Sequence, residues 1–472
     1  MLRAAAASLL VFAAAVSAQP APNLLIRHAT VVDVVRGKTV ANQAVLVSGD
    51  TIRAVGPDQA IARRHTAAQQ VDARGRFVMP GLWDMHVHFG GGRELIEENG
   101  RLLPLYVANG VTAVRDAAAD LTPLVLEMRV AVAAGSLLGP TIFTSGPKLE
   151  GYKPLWKGTI EVGTPAEVDA ALDRLQAMKV DFVKITDNTL KPDIFLYAVG
   201  AAKKRGLKTS AHTPFALTIQ QAVDAGLSSI EHVDYLIKAG SPREAEIGAA
   251  FAAGKMSYGE ASDAFTASFD ANYAAGVYRR LAKSGVSVTP TLNMGRILAY
   301  LDREDHSRDA GLAYIGPGLR KTYDWRVERA AKSTPQQVAE RHKEYELSVR
   351  VLPMLVKAGI PIMAGTDAGY LNSFNYPGWG LHDELDRYVE AGLTPQQALV
   401  TATQTGPRFL GHADRYGSIA AGRAADILIL DANPLKSIKA TRSINAVVLH
   451  GKLLDRAALD VMLAEARRKA GH

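Results

Sequence analysis

Near the start of the chain, apolar and polar positions alternate in short segments. These are Leu24-Leu25-Ile26-Arg27-His28-Ala29-Thr30-Val31-Val32-Asp33, Ala44-Val45-Leu46-Val47-Ser48-Gly49-Asp50 and Ile52-Arg53-Ala54-Val55-Gly56, with Gly-containing turns between them. A period near two with turn residues at the breaks predicts strands joined as hairpins. The same texture returns far downstream, in Ala425-Asp426-Ile427-Leu428-Ile429-Leu430-Asp431 and Ile444-Asn445-Ala446-Val447-Val448-Leu449-His450-Gly451. Each piece is small for a core of its own. The economical expectation is one composite β-sandwich domain built from both chain ends, residues 19–78 with 416–456.

Between these ends the pattern changes to short apolar runs separated by helical stretches. Runs at 82–86, 111–115, 141–144, 180–185, 207–212, 228–232, 286–289 and 360–364 make eight candidate strands. Stretches such as 165–178 and 194–205 carry helical apolar spacing between them. Eight strand–helix repeats predict an α/β fold of the (β/α)8 TIM-barrel type over residues 79–415, with functional groups at the C-terminal strand ends. Two long polar, helix-rich insertions, 238–285 and 292–358, follow the sixth and seventh strands and carry Tyr273, Tyr278, Tyr300, Tyr314, Tyr323 and Trp325. Such insertions serve as substrate walls or as interfaces, and a homo-oligomer is expected.

The first residues form a different pattern. Arg3 precedes an apolar run from Ala4 to Val16, and Val16-Ser17-Ala18 offers small residues for cleavage. Residues 1–18 therefore read as a signal peptide of an exported protein, periplasmic or secreted, with a mature start near Gln19. No apolar stretch reaches the ~18 residues of a membrane span, so no membrane partner is expected once the leader is removed. The chain is 48% hydrophobic and 21% charged, with a net charge of +7 and no dense Lys/Arg block. That mild, spread charge gives no support to nucleic-acid binding. With no Cys anywhere, any metal ligand must be His, Asp, Glu or Lys.

Candidate chemistry sits at the ends of the apolar runs. In Met79-Pro80-Gly81-Leu82-Trp83-Asp84-Met85-His86-Val87-His88, the two histidines stand at i and i+2. In a strand they share a face and can aim two imidazoles at one metal ion. A bare pair is weak, but more groups follow. Lys184, in Asp181-Phe182-Val183-Lys184-Ile185, shares the inward face with Phe182. Burial and nearby metal cations disfavour an ammonium there, and a neutral amine can capture carbon dioxide as a metal-bridging carbamate. A lysine whose head reaches solvent is the alternative. His212 and His232 lie one strand–helix–strand step apart. Either could be a structural core histidine, and imidazole is also the commonest metal ligand. Asp367, in Ala364-Gly365-Thr366-Asp367-Ala368-Gly369, can touch a metal and move a proton, or cap a following helix.

Taken in order, these segments resemble the amidohydrolase superfamily of metal-dependent hydrolases, in its imidazolonepropionase-like and Xaa-Pro dipeptidase-like subgroup. The likeness runs from the N-terminal β-segment to Gly417-Ser418-Ile419-Ala420-Ala421-Gly422-Arg423-Ala424-Ala425-Asp426. Pro80-Gly81-Leu82-Trp83-Asp84-Met85-His86-Val87-His88 is similar to the family's first-strand motif. Val183-Lys184-Ile185, Ala211-His212, Glu231-His232 and Gly365-Thr366-Asp367 fall at its fourth, fifth, sixth and eighth strands. The resemblance implies a site for two divalent ions, zinc, with Lys184 carboxylated by CO2. His86, His88 and Asp367 would hold one ion and His212 and His232 the other. A bridging hydroxide would attack, and Asp367 would pass its proton to the leaving nitrogen.

Deaminases of that superfamily place a Glu three residues after the strand-five histidine and lack the strand-four lysine, and imidazolonepropionases also lack the lysine. Here the position is Phe215, and Lys184 is present. The expected substrate is a small molecule or short peptide, a dipeptide or N-acyl amino acid. A cyclic amide, lactone or ester cleaved by the same site is the alternative. Tyr235, Lys148, Lys153, Arg296 and Arg115 could each meet a substrate carboxylate, and His382 could support the site from behind.

Overall fold

A computed structural model describes residues 22–118 and 120–471, so the signal-peptide reading of 1–18 lies outside the described residues. Both chain ends meet in one eight-stranded sheet. Its order runs Lys452–Asp455, Ile444–Leu449, Ile427–Leu430, Phe77–Pro80, Pro22–Asp33, Lys38–Ser48 and Thr51–Pro57, with Gln69–Asp72 also paired to Pro22–Asp33. The seam between the ends is antiparallel, Leu428 opposite Met79 and Ile429 opposite Val78. Period-two alternation divides these strands between two cores. Ile427, Ile429 and Val448 pack with Leu24, Ile26 and Val45 on one face. Leu428, Leu430 and Val447 point the other way, into the large core of the central segment.

That central segment is a TIM-barrel-like α/β arrangement. Its parallel strands are Leu82–His88, Val111–Asp116, Thr141–Thr144, Val183–Ile185, Thr209–Ala211, Ser229–Glu231 and Ser287–Thr289. Thr141–Thr144 coincides with its apolar run; the other six overlap theirs but differ at the ends, and four are shorter. The eighth position departs further. Instead of a strand over 360–364, one bridge joins Val288 to Ile362. Pro361 has no N–H to donate, which limits the ladder there. The ring is nevertheless joined on both sides of this segment. Met363 N–H donates to Val288 O at 2.9 Å, and Met85 N–H donates to Ala364 O at 2.8 Å.

Gly365 sits in this closure, where two strands crowd it. A Cβ at this position would lie 2.5 Å from Thr289 Cγ2 and 2.8 Å from the His86 backbone nitrogen. Gly365→Ala is therefore expected to destabilise the protein by about 1–3 kcal/mol, the usual range for overpacking. Since the displaced backbone carries His86, turnover should fall as well. An unchanged thermal midpoint in a melting experiment would remove this account of the closure.

The two insertions are helical. The first holds Glu244–Ala252, Tyr258–Ala267 and Ala271–Ser284; the second holds Leu292–Ala299, Pro317–Thr322, Asp324–Ala331 and the long helix Pro335–Ala358. Their aromatics split in role. Tyr278 and Tyr323 are buried in the core, while Tyr273 and Trp325 stay exposed. Among the described residues no helix is long and apolar enough to cross a membrane.

Candidate active site

The first barrel strand brings His86 and His88 to one face, as its period requires. His86 is fully buried; its Nδ1 meets Glu231 Oε2 at 2.7 Å, and its Nε2 has no hydrogen-bond partner. His88 Nδ1 lies 3.2 Å from the Ala118 carbonyl, and its Nε2 lies 2.9 Å from Asp367 Oδ1. The ligand atoms of His86, His88 and Asp367 all fall within 4.8 Å of one another. Across the mouth, the Nε2 atoms of His212 and His232 face each other at 3.0 Å, and Thr291 Oγ1 holds His232 Nδ1 at 2.7 Å. The His86 and His232 rings, 5.1 Å apart, join the two groups.

Lys184 comes up between them. It is buried, its Nζ has no hydrogen-bond partner among the described residues, and it lines a cavity of about 90 Å³ with His88, His212, His232 and Asp367. The structure thus brings together all six residues singled out from the sequence. Backbone turns do part of the aiming. His232, just past its strand, and Asp367, just past the closing segment, have φ of 72° and 62°, left-handed values that side chains other than Gly seldom adopt. Asp367 N–H donates to His86 O at 2.7 Å, and the next helix starts only at Trp379, so Asp367 is not a helix cap.

The electrostatics favour neutral ligands around an ionised carboxylate. Burial, then the charge of Lys184, pushes His86 down to about 3. Burial likewise lowers His212 and His232. Burial alone would raise Asp367, but the His88 hydrogen bond and the neighbouring imidazoles hold it well below the ordinary carboxylate range. Burial brings the Lys184 amine down to about 8. Neutral imidazole, ionised carboxylate and a readily deprotonated amine are the forms that divalent metals bind. The unpartnered His86 Nε2 and Lys184 Nζ fit such a group.

Glu231 holds this site from beneath, a role sequence reasoning missed. Its Oε2 accepts from Arg115 Nη2 at 2.7 Å and contacts His86, while its Oε1 accepts from the Ser210 and Ser229 hydroxyls at 2.6 Å each. Asp84 braces the strand from the other side, accepting from Thr366 Oγ1 at 2.7 Å and Thr366 N at 3.0 Å. The legible signal was polar residues at inward positions of buried strands.

The carboxylate-binding candidates separate cleanly. Arg115 is fully buried under the site and tied to Glu231. Arg296 is paired with Glu304, and Lys153 is exposed on a loop. Lys148 does line the cavity, 5.1 Å from the Trp156 ring centre. Tyr235 lies against His212 with ring centres 6.1 Å apart. His382 is remote, held between Thr441 Oγ1 and Asn109 O, so it does not support the site. Phe215 stacks on Tyr258 at 4.4 Å, an apolar setting where related deaminases would need a Glu. Arg326 and Tyr370 also line the cavity and were not anticipated.

Residues 77–454 match the amidohydrolase family. The chain belongs to that family. It is a hydrolase acting on C–N bonds. This amidohydrolase is 25% identical to an ochratoxinase from Aspergillus niger over 469 residues, covering 87% of this chain and 82% of the relative. Among solved structures it is similar to a Xaa-Pro dipeptidase with methionine bound in the active site, at a TM-score of 0.67 and 20% identity, covering 92% of this chain and 99% of that one. It is also similar to the bottromycin amidohydrolase, at a TM-score of 0.72 and 19% identity, covering 96% and 92%.

Proposed function

We propose that this amidohydrolase cleaves an amide or peptide bond of a small substrate, a dipeptide or an N-acyl amino acid, using two zinc ions. His86, His88 and Asp367 would hold one ion and His212 and His232 the other, with Lys184, once carboxylated, as a ligand shared between them. The observation that carries this reading is Lys184 itself: a buried amine with no acceptor, in a cavity shared with four of the other ligands. Left as an ammonium it makes no hydrogen bond among the described residues, whereas a carbamate would convert it into a carboxylate-like ligand. The ions, when bound, supply a nucleophilic oxygen at neutral pH and polarise the scissile carbonyl.

The chain's own groups do the rest. Asp367, ionised and adjacent to both histidines of the first strand, accepts the proton of the attacking oxygen and returns it to the leaving nitrogen, which cannot depart as an anion. Glu231 fixes His86 through Nδ1, which would leave Nε2 available to an ion. The cavity at the ligands admits little beyond the reacting bond, which suits a small substrate. We further propose that residues 1–18 export the protein, and that residues 19–78 with 416–456 act as one β-domain beside the barrel.

Metal analysis tests the site directly. Protein purified with bicarbonate present should carry about two equivalents per chain, and Lys184→Ala about one or fewer. Two equivalents in Lys184→Ala would remove the bridging role. A panel of dipeptides, N-acyl amino acids, lactones and aryl esters then decides the bond type. Turnover of lactones or aryl esters alone would replace the amide reading.

A further inference from the structure

A second cavity, of about 310 Å³, opens from the candidate site into the helical insertions. His232, Arg326 and Asp367 line both it and the small cavity beside Lys184, so the two adjoin across these side chains. Its volume is at the lower end of the ~300–1,000 Å³ of ligand pockets, enough for the part of a small substrate that lies beyond the reacting bond. Arg341 and Glu344, from the helix Pro335–Ala358, complete its wall.

Arg341 is the unusual member. Its Nη1 donates to Ser333 Oγ at 2.6 Å, while Nε and Nη2 are buried with no hydrogen-bond partner among the described residues. Those two nitrogens form one edge of the guanidinium, the edge that grips both oxygens of a carboxylate side-on. Arg326 also keeps its charge unneutralised: its Nε and Nη2 are taken by Leu371 O and Asn372 Oδ1, and it pairs with no carboxylate among the described residues. Glu344, three residues after Arg341 on the same helix, would be the ordinary partner for it, yet no ion pair forms. Burial first, then the charge of Asp234, pushes Glu344 up to about 8. A neutral Glu344 leaves Arg341 without an ion pair on its own helix, and the two arginines share the cavity with the carboxylates of Asp234 and Asp367.

We propose that Arg341, with Arg326 beside it, seats the free carboxylate of the substrate's amino-acid portion, so that the enzyme selects acids over their neutral amides. This specificity rests on the amide-hydrolase reading above. It also accounts for the insertion after the seventh strand, which carries the anion-binding group to the barrel mouth.

The test compares N-acetyl-L-methionine with N-acetyl-L-methionine amide, following acetate release by the metal-loaded protein. Wild type should prefer the acid by at least about 100-fold in kcat/KM, since a site built for a charged group rejects the analogue lacking it. Arg341→Ala should erase most of that preference through KM, leaving the amide within about 3-fold of wild type; Arg341→Lys should restore part of it. Equal losses on acid and amide in Arg341→Ala, or no preference in wild type, overturn the proposal. Calorimetric titration of the purified protein with the same two compounds separates the two readings. Acid-selective binding that Arg341→Ala abolishes, without turnover of either compound, sinks the amide-hydrolase reading and keeps the carboxylate seat. Binding of both compounds alike sinks the seat.

Discussion

Asp367→Asn is expected to lower kcat by about 10³–10⁴-fold while the protein stays folded and keeps most of its metal. Asn has the same shape, so the contacts that place residue 367 survive: its N–H still reaches His86 O, and its side chain keeps its place beside His88 Nε2. Five further donors remain for the ions under the proposed ligand set. What is lost is the capacity to hold a proton. The wild-type carboxyl is kept ionised by the His88 hydrogen bond and the surrounding imidazoles, so it is ready as an acceptor throughout the neutral range. A neutral amide cannot take that proton, and the leaving nitrogen then receives none from it. Steady-state kinetics with metal analysis of the same sample checks this. If kcat survives within a few-fold, Asp367 is not the proton carrier. If the metal is lost together with activity, its main role is as a ligand.

Much of this site was legible because parallel barrel strands impose a simple rule. Side chains alternate, and groups at the C-terminal ends converge. His86 and His88 obey the period, and Lys184 stands inward two residues after Phe182, both buried. The exact strand ends were less legible. His232 turns into left-handed backbone, which ends its ladder earlier than the apolar run does, and Pro361 interrupts the eighth. Arg326 and Arg341 could not be found from pattern at all. They reach the barrel mouth only because helices of one insertion pack over it, and no local periodicity encodes that placement. The helix Arg456–Lys469, packed on Leu103–Ala108 beyond the last strand, likewise left no expectation in the hydrophobic pattern.

Glu231 illustrates a residue whose importance the fold creates. In the sequence it is one acid beside a histidine; in the structure it is the fully buried hub of four polar partners, His86, Arg115, Ser210 and Ser229. Glu231→Gln is expected to destabilise the protein by about 3–5 kcal/mol, because it strands the Arg115 guanidinium in the interior. Arg115 has little else to turn to: Thr289 Oγ1 at 3.2 Å and the Met85 carbonyl are its other acceptors, and its Nη1 already lacks one. The loss should appear as a fall in the thermal midpoint of about 3–5 °C. Metal affinity should drop about 10–100-fold in the same variant, since His86 loses the group that orients it. The pH dependence has a definite sign. Burial acts to raise Glu231, but Arg115 and His86 outweigh it and hold its carboxyl well below the ordinary value. Its stabilising contribution is therefore present at neutral pH and is lost as pH falls through that lowered value, so variant and wild type should converge in acid. A second substitution distinguishes stranded charge from lost packing. Adding Arg115→Met to Glu231→Gln should recover part of the stability, because removing both partners of a buried pair costs less than removing one. It should not restore metal affinity, because His86 still lacks its anchor. Losses that simply add in the double variant would mean that Arg115 and Glu231 act independently, and the hub would lose its role in holding the site.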